Sequence, residues 1–262
     1  MAVVTLTTDF GLDDPFVGIL KGVIAGRAPG VPVVDLSHGV PPQDVRTAAL
    51  VLRQAVPYFP AGTVHVAVVD PGVGGTRRAI CIETARAFLV GPDNGVLSLV
   101  AADVRRVVEL TETQFQLHPR SATFHGRDVF APVAAALATG TPADALGPAL
   151  ADFVRIDLPR PARDGGAVRG EVIAVDRFGN LATNVDEGAL AAFSRRRLSI
   201  SIAGRRLDGV AGSYDAVAPG EAVAVLNSWG FLEIAVRDGS ASRTLGAGVG
   251  TPVAVEGNEP GA

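Results

Sequence analysis

Three short β-branched runs, AVVTLTTD at 2–9, VPVVDL at 31–36 and TVHVAVVD at 63–70, each carry an aspartate at or near their end. This recurrence most constrains the fold. Residues 15–27 (PFVGILKGVIAGR) between the first two runs have apolar side chains at helical spacing behind a proline, which a helix N-terminus tolerates. Between the second and third, Asp44 is placed to cap a helix over Val45–Ala55. Strand–helix–strand at this spacing predicts an α/β layer with a largely parallel central sheet. Further strands are expected at Arg78–Glu83, Ala87–Val90 and Val107–Leu110, and a helix over 127–139 ending at Gly140 despite Pro132.

The pattern changes after residue 157. LPRPARDGG at 158–166 has two prolines and two glycines without periodicity and reads as a linker. Beyond it come VRGEVIAVD, LSISIAGRRL, EAVAVLN, FLEIAVRDG and GTPVAVE, short apolar segments separated by turn residues. They predict a small C-terminal β-barrel over 167–262, beside an N-terminal α/β domain over 1–157.

Composition narrows the function classes. A chain of 262 residues with 48% hydrophobic residues can bury a sizeable core. A net charge of −4 argues against general nucleic-acid binding. No apolar run approaches a membrane span and MAVVTLTTDFG is no signal peptide, so a cytoplasmic protein is expected. The lone cysteine, Cys81, sits in the apolar stretch AICIE and reads as an inert buried thiol. P-loop, GxGxxG, HExxH, CxxC and GxSxG motifs are missing.

In an open parallel sheet, ligands bind outside the carboxyl ends of the strands. Asp9, Asp35 and Asp70 fall at that edge, with Asp13, Asp14 and His38 close behind. After Asp70 the turn PGVGG allows Arg77 to return towards the carboxylate, and a buried Asp needs such a partner. His125, in TFHGRDVF, stands at the start of a helix next to Gly126. In the second half Asp176, Phe178, Asn180 and Asn184 cluster after one strand, and Asn227, Ser228, Trp229 and Glu233 around another turn. Such amide, hydroxyl and aromatic groups suit a flat polar heterocycle. The same residues also serve as turn and cap formers. Asp9, Asp14, Asp35, His38 and Asp70 could alternatively hold Mg²⁺ or Mn²⁺.

TTDFG at 7–11, KG at 21–22, VDPGVGG-RR at 69–78, PDNG at 92–95, TFHGRDVFAP at 123–132, DRFGN-ATN at 176–184 and NS-G-LEIAV at 227–236 occur in order across nearly the whole chain. In these motifs the chain resembles the S-adenosyl-L-methionine (SAM) hydroxide adenosyltransferases, relatives of the fluorinases and chlorinases. The resemblance implies the two-domain architecture and a homotrimer, with SAM held between the N-terminal domain of one subunit and the C-terminal domain of its neighbour. It implies attack of water or hydroxide on the 5′ carbon of SAM, giving adenosine and methionine without a metal or other cofactor. It makes Asp70, Arg77 and His125 the catalytic set. Asp9 would bind ribose with Asp14 as helper, and Asn94 belongs to the PDNG motif. Asp176, Asn180, Ser228 and the Glu233–Val236 region would hold methionine and adenine. Phe178 would pack on the adenine, with Trp229 beside Ser228. The fluorinase has hydroxyl residues where this chain has Val73, Gly126 and Asp70, and an insertion near residue 84, so the expected nucleophile is water. A metal-dependent hydrolase and a non-catalytic SAM or adenosine sensor remain alternatives.

Overall fold

The computed structural model describes residues 2–191, 193 and 198–257. By its contacts the chain divides into Met1–Ile156 and Asp157–Ala262.

In the first unit the expected alternation forms β1 (Val4–Thr8), α1 (Phe16–Arg27), β2 (Val33–Ser37), α2 (Val45–Ala55) and β3 (Thr63–Val68). An antiparallel pair follows, β4 (Ala79–Thr84) and β5 (Ala87–Pro92), then β6 (Val104–Glu109) and α3 (Ala131–Ala138). The sheet order is β2-β1-β3-β5-β4-β6. Four strands from β2 to β5 run parallel, and β4 and β6 are antiparallel to their neighbours.

Residue parity sorts the side chains to two faces. Val64, Val66 and Val68 of β3 join Val4 and Leu6 in a core with Leu20 and Ile24 of α1 and Val133 of α3. Ala67 and Val69 face the other way, into a core with Ala48 and Leu52 of α2 and Ile80 and Ile82 of β4. Period two in a strand sheathed by helices on both faces explains why β3 is buried throughout. Cys81 is fully buried and burial pushes its thiol well up, which leaves it inert.

The helix expected over 127–139 begins differently. Residues Gly126–Phe130 form a π turn, and regular α-helix runs only from Ala131, with Pro132 in its first turn. Pro132 lacks the N–H that an interior position would need, so the α segment starts where that donor is dispensable.

Among the described residues the second unit is all-β apart from three short helical turns, at Glu187–Leu190, Tyr214–Ala216 and Ala241–Leu245. β7 (Ala162–Asp164) pairs with β8 (Ala167–Val175), so three residues of the stretch read as linker are strand. β9 (Leu181–Asp186) also escapes the sequence reading. LSISIAGRRL splits into β10 (Leu198–Ile202) and β11 (Arg205–Asp208) around Ala203-Gly204, whose φ values of +46° and +74° make the tight turn a two-residue hairpin requires. β12 (Ala222–Leu226), β13 (Phe231–Val236) and β14 (Pro252–Gly257) complete a barrel-like sheet in the order β11-β10-β14-β8-β9-β13-β12. Val168, Leu181, Ile200, Leu232, Ile234 and Val255 fill it. Expected residues 258–262 of the barrel segment lie outside the described residues.

Asp44 caps α2 as expected, accepting from Thr47 N at 2.9 Å and from Thr47 Oγ1 at 2.6 Å. Asp44→Ala should cost about 1 kcal/mol of stability. A lower urea midpoint with unchanged slope is the expected measurement, and an unchanged midpoint would show the cap to be dispensable.

Candidate active site

Chain order and strand order together locate a crevice. β1 leads through α1 to β2 on one side of it, whereas β3 on its other side leads on towards β5. The reversal falls between β1 and β3, where α/β sheets bind ligands outside the carboxyl ends. A pocket of about 320 Å³ opens there. Asp9 and Asp70, just past β1 and β3, line it with Phe10, Gln43, Val73 and His125.

The VDPGVGGTRR turn explains how a guanidinium returns to Asp70. Gly74 has φ +75°, and a Cβ there would stand 2.3 Å from Ala122 O. The turn can therefore lie flat against the chain leading to His125 only with glycine. Arg77 Nε then donates to both Asp70 oxygens at 3.0 and 2.9 Å, and its Nη2 also reaches Oδ2. The side chains are 5% and 11% exposed for Asp70 and Arg77, so water scarcely competes for either partner. The second arginine has a different task. Arg78 binds Asp93 and Asp152, and Asp93 in turn accepts from Val154 N.

Arg77 Nη2 also lies 2.7 Å from His125 Nδ1. A guanidinium only donates, so Nδ1 must present its lone pair. The ring is therefore the neutral tautomer protonated on Nε2, and Nε2–H has no partner among the described residues. Burial, then Arg77 and Arg120, lower the His125 pKa below the usual histidine value, against Asp70 and Asp128. The π turn after His125 holds Asp128, which accepts from Ser121 N and Arg127 and ties the HG loop down. Phe10, Phe16 and Phe124 meet edge to face beside the pocket.

Asp9 Oδ2 accepts from Gln43 N at 2.8 Å. Its strand end is fixed by a polar chain. Lys21 Nζ donates to Asp35 Oδ2 at 2.6 Å. His38 Nε2 lies 3.0 Å from Asp35 Oδ1, near enough for an ion pair but off line for a hydrogen bond, and Nδ1 meets Thr8 Oγ1 at 2.8 Å. Thr8 Oγ1 accepts from Phe10 N. Burial pushes the Asp35 carboxyl up, but Lys21 and His38 outweigh it and hold it below its ordinary value. Asp35 and His38 thus support the site without lining it.

The carboxylate cluster weighed as a Mg²⁺ or Mn²⁺ site does not gather. Asp70 is engaged by Arg77 and Asp35 by Lys21, Asp14 is exposed outside the pocket, and no group of three His, Cys, Asp or Glu is placed to hold a metal among the described residues. Asn94 is spent on backbone: it donates to Val69 O and accepts from Val96 N, which fixes the chain entering Asp70.

In the second unit a cavity of about 750 Å³ is lined by Asp176, Phe178, Asn180 and Val236. Asp176 accepts from Phe178 N, Asn180 N and Asn180 Nδ2 at 2.8–2.9 Å, so it shapes the loop. Phe178 is 75% exposed at the rim. Glu233 is buried and bound by Tyr214 Oη and Asn227 Nδ2, and does not line the cavity. Burial, reinforced by the hydrogen bond to Glu233, pushes the Tyr214 hydroxyl up to about 12. Ser228 is exposed and Trp229 packs edge to face on Phe231, both away from this cavity. Sequence reasoning missed Gln43, Tyr214, Arg237 and Arg243 as lining residues. Gln43 contributes through its backbone at φ +67°, which no side-chain pattern signals.

Among the described residues no helix is long and apolar enough to cross a membrane. Two family models match, the SAM hydroxide adenosyltransferase N-terminal domain over residues 4–147 and its C-terminal domain over 170–254. The chain is 44% identical over 262 residues to an (R)-S-adenosyl-L-methionine hydrolase of Thermus thermophilus, covering 97% of this chain and 99% of that one. It is 45% identical to a protein of the same name from Salinispora tropica, covering 93% of each. A crystal structure of an uncharacterized conserved protein from Thermotoga maritima superposes with a TM-score of 0.92 at 36% identity, covering 97% and 100%.

Nitrogen-15 imidazole spectra at neutral pH should show His125 Nδ1 unprotonated and Nε2 protonated. In Arg77→Ala the His125 pKa should rise, since a lowering charge is gone. A protonated Nδ1 in the unmodified protein would contradict the assigned tautomer.

Proposed function

The chain belongs to the SAM hydroxide adenosyltransferase family, and we infer that it is an enzyme hydrolysing S-adenosyl-L-methionine to adenosine and L-methionine. The observation that carries this reading is the convergence of Asp70, Arg77 and His125 at the carboxyl edge of β3. The sulfonium leaves readily, so the catalytic problem is the nucleophile, because bulk water has a pKa of about 15.7. Water oxygen bonds to C5′, the C5′–S bond breaks, and its electron pair goes to sulfur, giving a neutral thioether. One proton is released.

The hydrogen-bond pattern supports a division of labour. His125 already carries its proton on Nε2 and gives its lone pair to Arg77, so it donates to the water oxygen and does not serve as base. Arg77 has no acceptor atom. Asp70 is therefore the proton acceptor of the three, through a lone pair that Arg77 leaves available. Proton handling of this sort contributes ~10²–10⁴-fold, and alignment of water behind the C–S bond supplies much of the rest.

Asp9, with one carboxylate oxygen held by Gln43 N, is suited to ribose hydroxyls, and Asp14 assists from the adjoining loop. The C-terminal cavity, with exposed Phe178, Asn180 and the Val236 edge, suits adenine. Large apolar groups stand in water around each half: Leu12 and Phe178 are each 75% exposed. That exposure supports a homotrimer in which one subunit's N-terminal domain and a neighbour's C-terminal domain share the substrate. The names of the relatives specify the (R) sulfonium epimer, and we extend that preference to this chain.

Incubation with each SAM epimer in EDTA, followed by chromatography, is the decisive experiment. Adenosine and methionine should form, faster from the (R) epimer. If SAM raises the melting temperature but neither product appears, the protein is a sensor. If EDTA abolishes turnover and Mg²⁺ restores it, the metal-free scheme is wrong.

Arg77→Lys keeps a cation for Asp70 but loses the fork, so kcat should fall about 10²-fold or more with KM little changed. Asp9→Ala should do the reverse, raising KM about tenfold. An unchanged affinity for adenosine in Asp9→Ala would remove the ribose assignment.

A further inference from the structure

A second cavity, of about 410 Å³, opens at the opposite end of the N-terminal sheet, where β3 and β5 begin. Val56, Phe59, Leu99 and Val100 give it apolar walls. His65, 1% exposed, also lines it. Neither the strand core nor the reaction described above uses this histidine.

The proton on His65 can be located. Nδ1 lies 2.8 Å from Thr5 Oγ1, and Thr5 is fully buried. His65 is the sole hydrogen-bond partner of that hydroxyl among the described residues. A buried hydroxyl proton without an acceptor is costly, so Thr5 donates to Nδ1. Burial lowers the His65 pKa to about 4, which keeps the ring neutral near pH 7. Its one proton is consequently on Nε2, which has no partner among the described residues. A buried donor of this kind needs water or a ligand acceptor.

Charge at the cavity selects the ligand. Arg53 and Arg86 supply two cations among the lining residues, and Asp103 one carboxylate. A carboxylate carries the single charge that Arg86 can match, and Asp103 would repel a phosphate dianion about twice as strongly. We propose that this cavity is a second binding site, separate from the Asp70 pocket, for a small monocarboxylate with a flat apolar body. The body lies between Phe59 and Leu99, and the carboxylate accepts from His65 Nε2–H with Arg86 as counter-charge. Such a ligand fits the volume range of small-molecule sites.

The probe is 3-phenylpropanoate, titrated into the isotope-labelled full chain, with 3-phenylpropanol as its uncharged counterpart. Saturable shifts are expected at His65 Nε2–H and the Arg86 side chain. Arg86→Ala should weaken binding about tenfold, the equivalent of ~1.4 kcal/mol, while SAM turnover is unchanged. The alcohol should bind about tenfold more weakly than the acid. Three results would overturn the proposal: no saturable shift at His65 up to about 10 mM probe, equal binding of acid and alcohol, or competition between probe and adenosine for the Asp70 pocket. These readouts do not depend on SAM turnover, so a failure here leaves the hydrolase reading untouched and the converse also holds.

Discussion

The guanidinium of Arg77 is shared between an aspartate and a histidine, and the rest of the N-terminal site is built around that sharing. Because an arginine gives protons and never takes them, it fixes the state of both partners at once. Asp70 is paired with its cation, and His125 presents the Nδ1 lone pair to it with its own proton on Nε2. The surrounding chain serves this arrangement. Gly74 lets the turn lie flat, Asn94 anchors the end of β3, and the π turn with Asp128 locks the histidine loop. Burying an ion pair brings little net stability, whereas losing one partner leaves a costly stranded charge. The geometry is therefore better understood as a device for chemistry than as a staple for the fold.

Two kinds of support hold the groups around the two cavities. In the N-terminal unit, backbone and side-chain bonds converge on the strand ends: Gln43 N on Asp9, and Thr8, His38, Asp35 and Lys21 in series behind it. In the C-terminal unit the polar residues are organised mainly by turns. Asp176 gathers its own loop, and Asn227 closes the β12–β13 hairpin by accepting from Trp229 N and Phe231 N. Turn formation and ligand recognition use the same residue types, so their presence in the sequence admitted both readings. The structure shows Asp176 and Asn227 acting as turn formers and leaves Phe178 and Asn180 facing the cavity.

What the sequence disclosed follows from what period and propensity can encode. The strand–helix alternation of the first unit, the Asp44 cap and the aspartates at strand ends were legible because they repeat or occupy stereotyped positions. β9 was not. LATNVD interrupts its apolar positions with Thr183 and Asn184, and Asn184 is retained for bonds to Glu171 N and Pro159 O rather than for strand propensity. β7 was hidden by the prolines around it. The π turn at Gly126–Phe130 has no sequence signature, since its Asp128 is held by a backbone N–H of Ser121, a donor that no side-chain pattern marks. Gln43 was invisible for a similar reason: its contribution is a backbone N–H, which every residue but proline has.

Lys21 is the only lysine in the chain, and it is the outermost member of the series that leads through Asp35 and His38 to the Asp9 strand. Amine-directed conjugation thus has one side chain to find, and that side chain is structurally connected to the end of β1 beside the Asp70 pocket. A dye, tether or resin attached there neutralises the charge that helps hold Asp35. Surface chemistry through thiols is no substitute, because Cys81 is sealed in the sheet. Immobilising this protein without disturbing it calls for a handle introduced elsewhere.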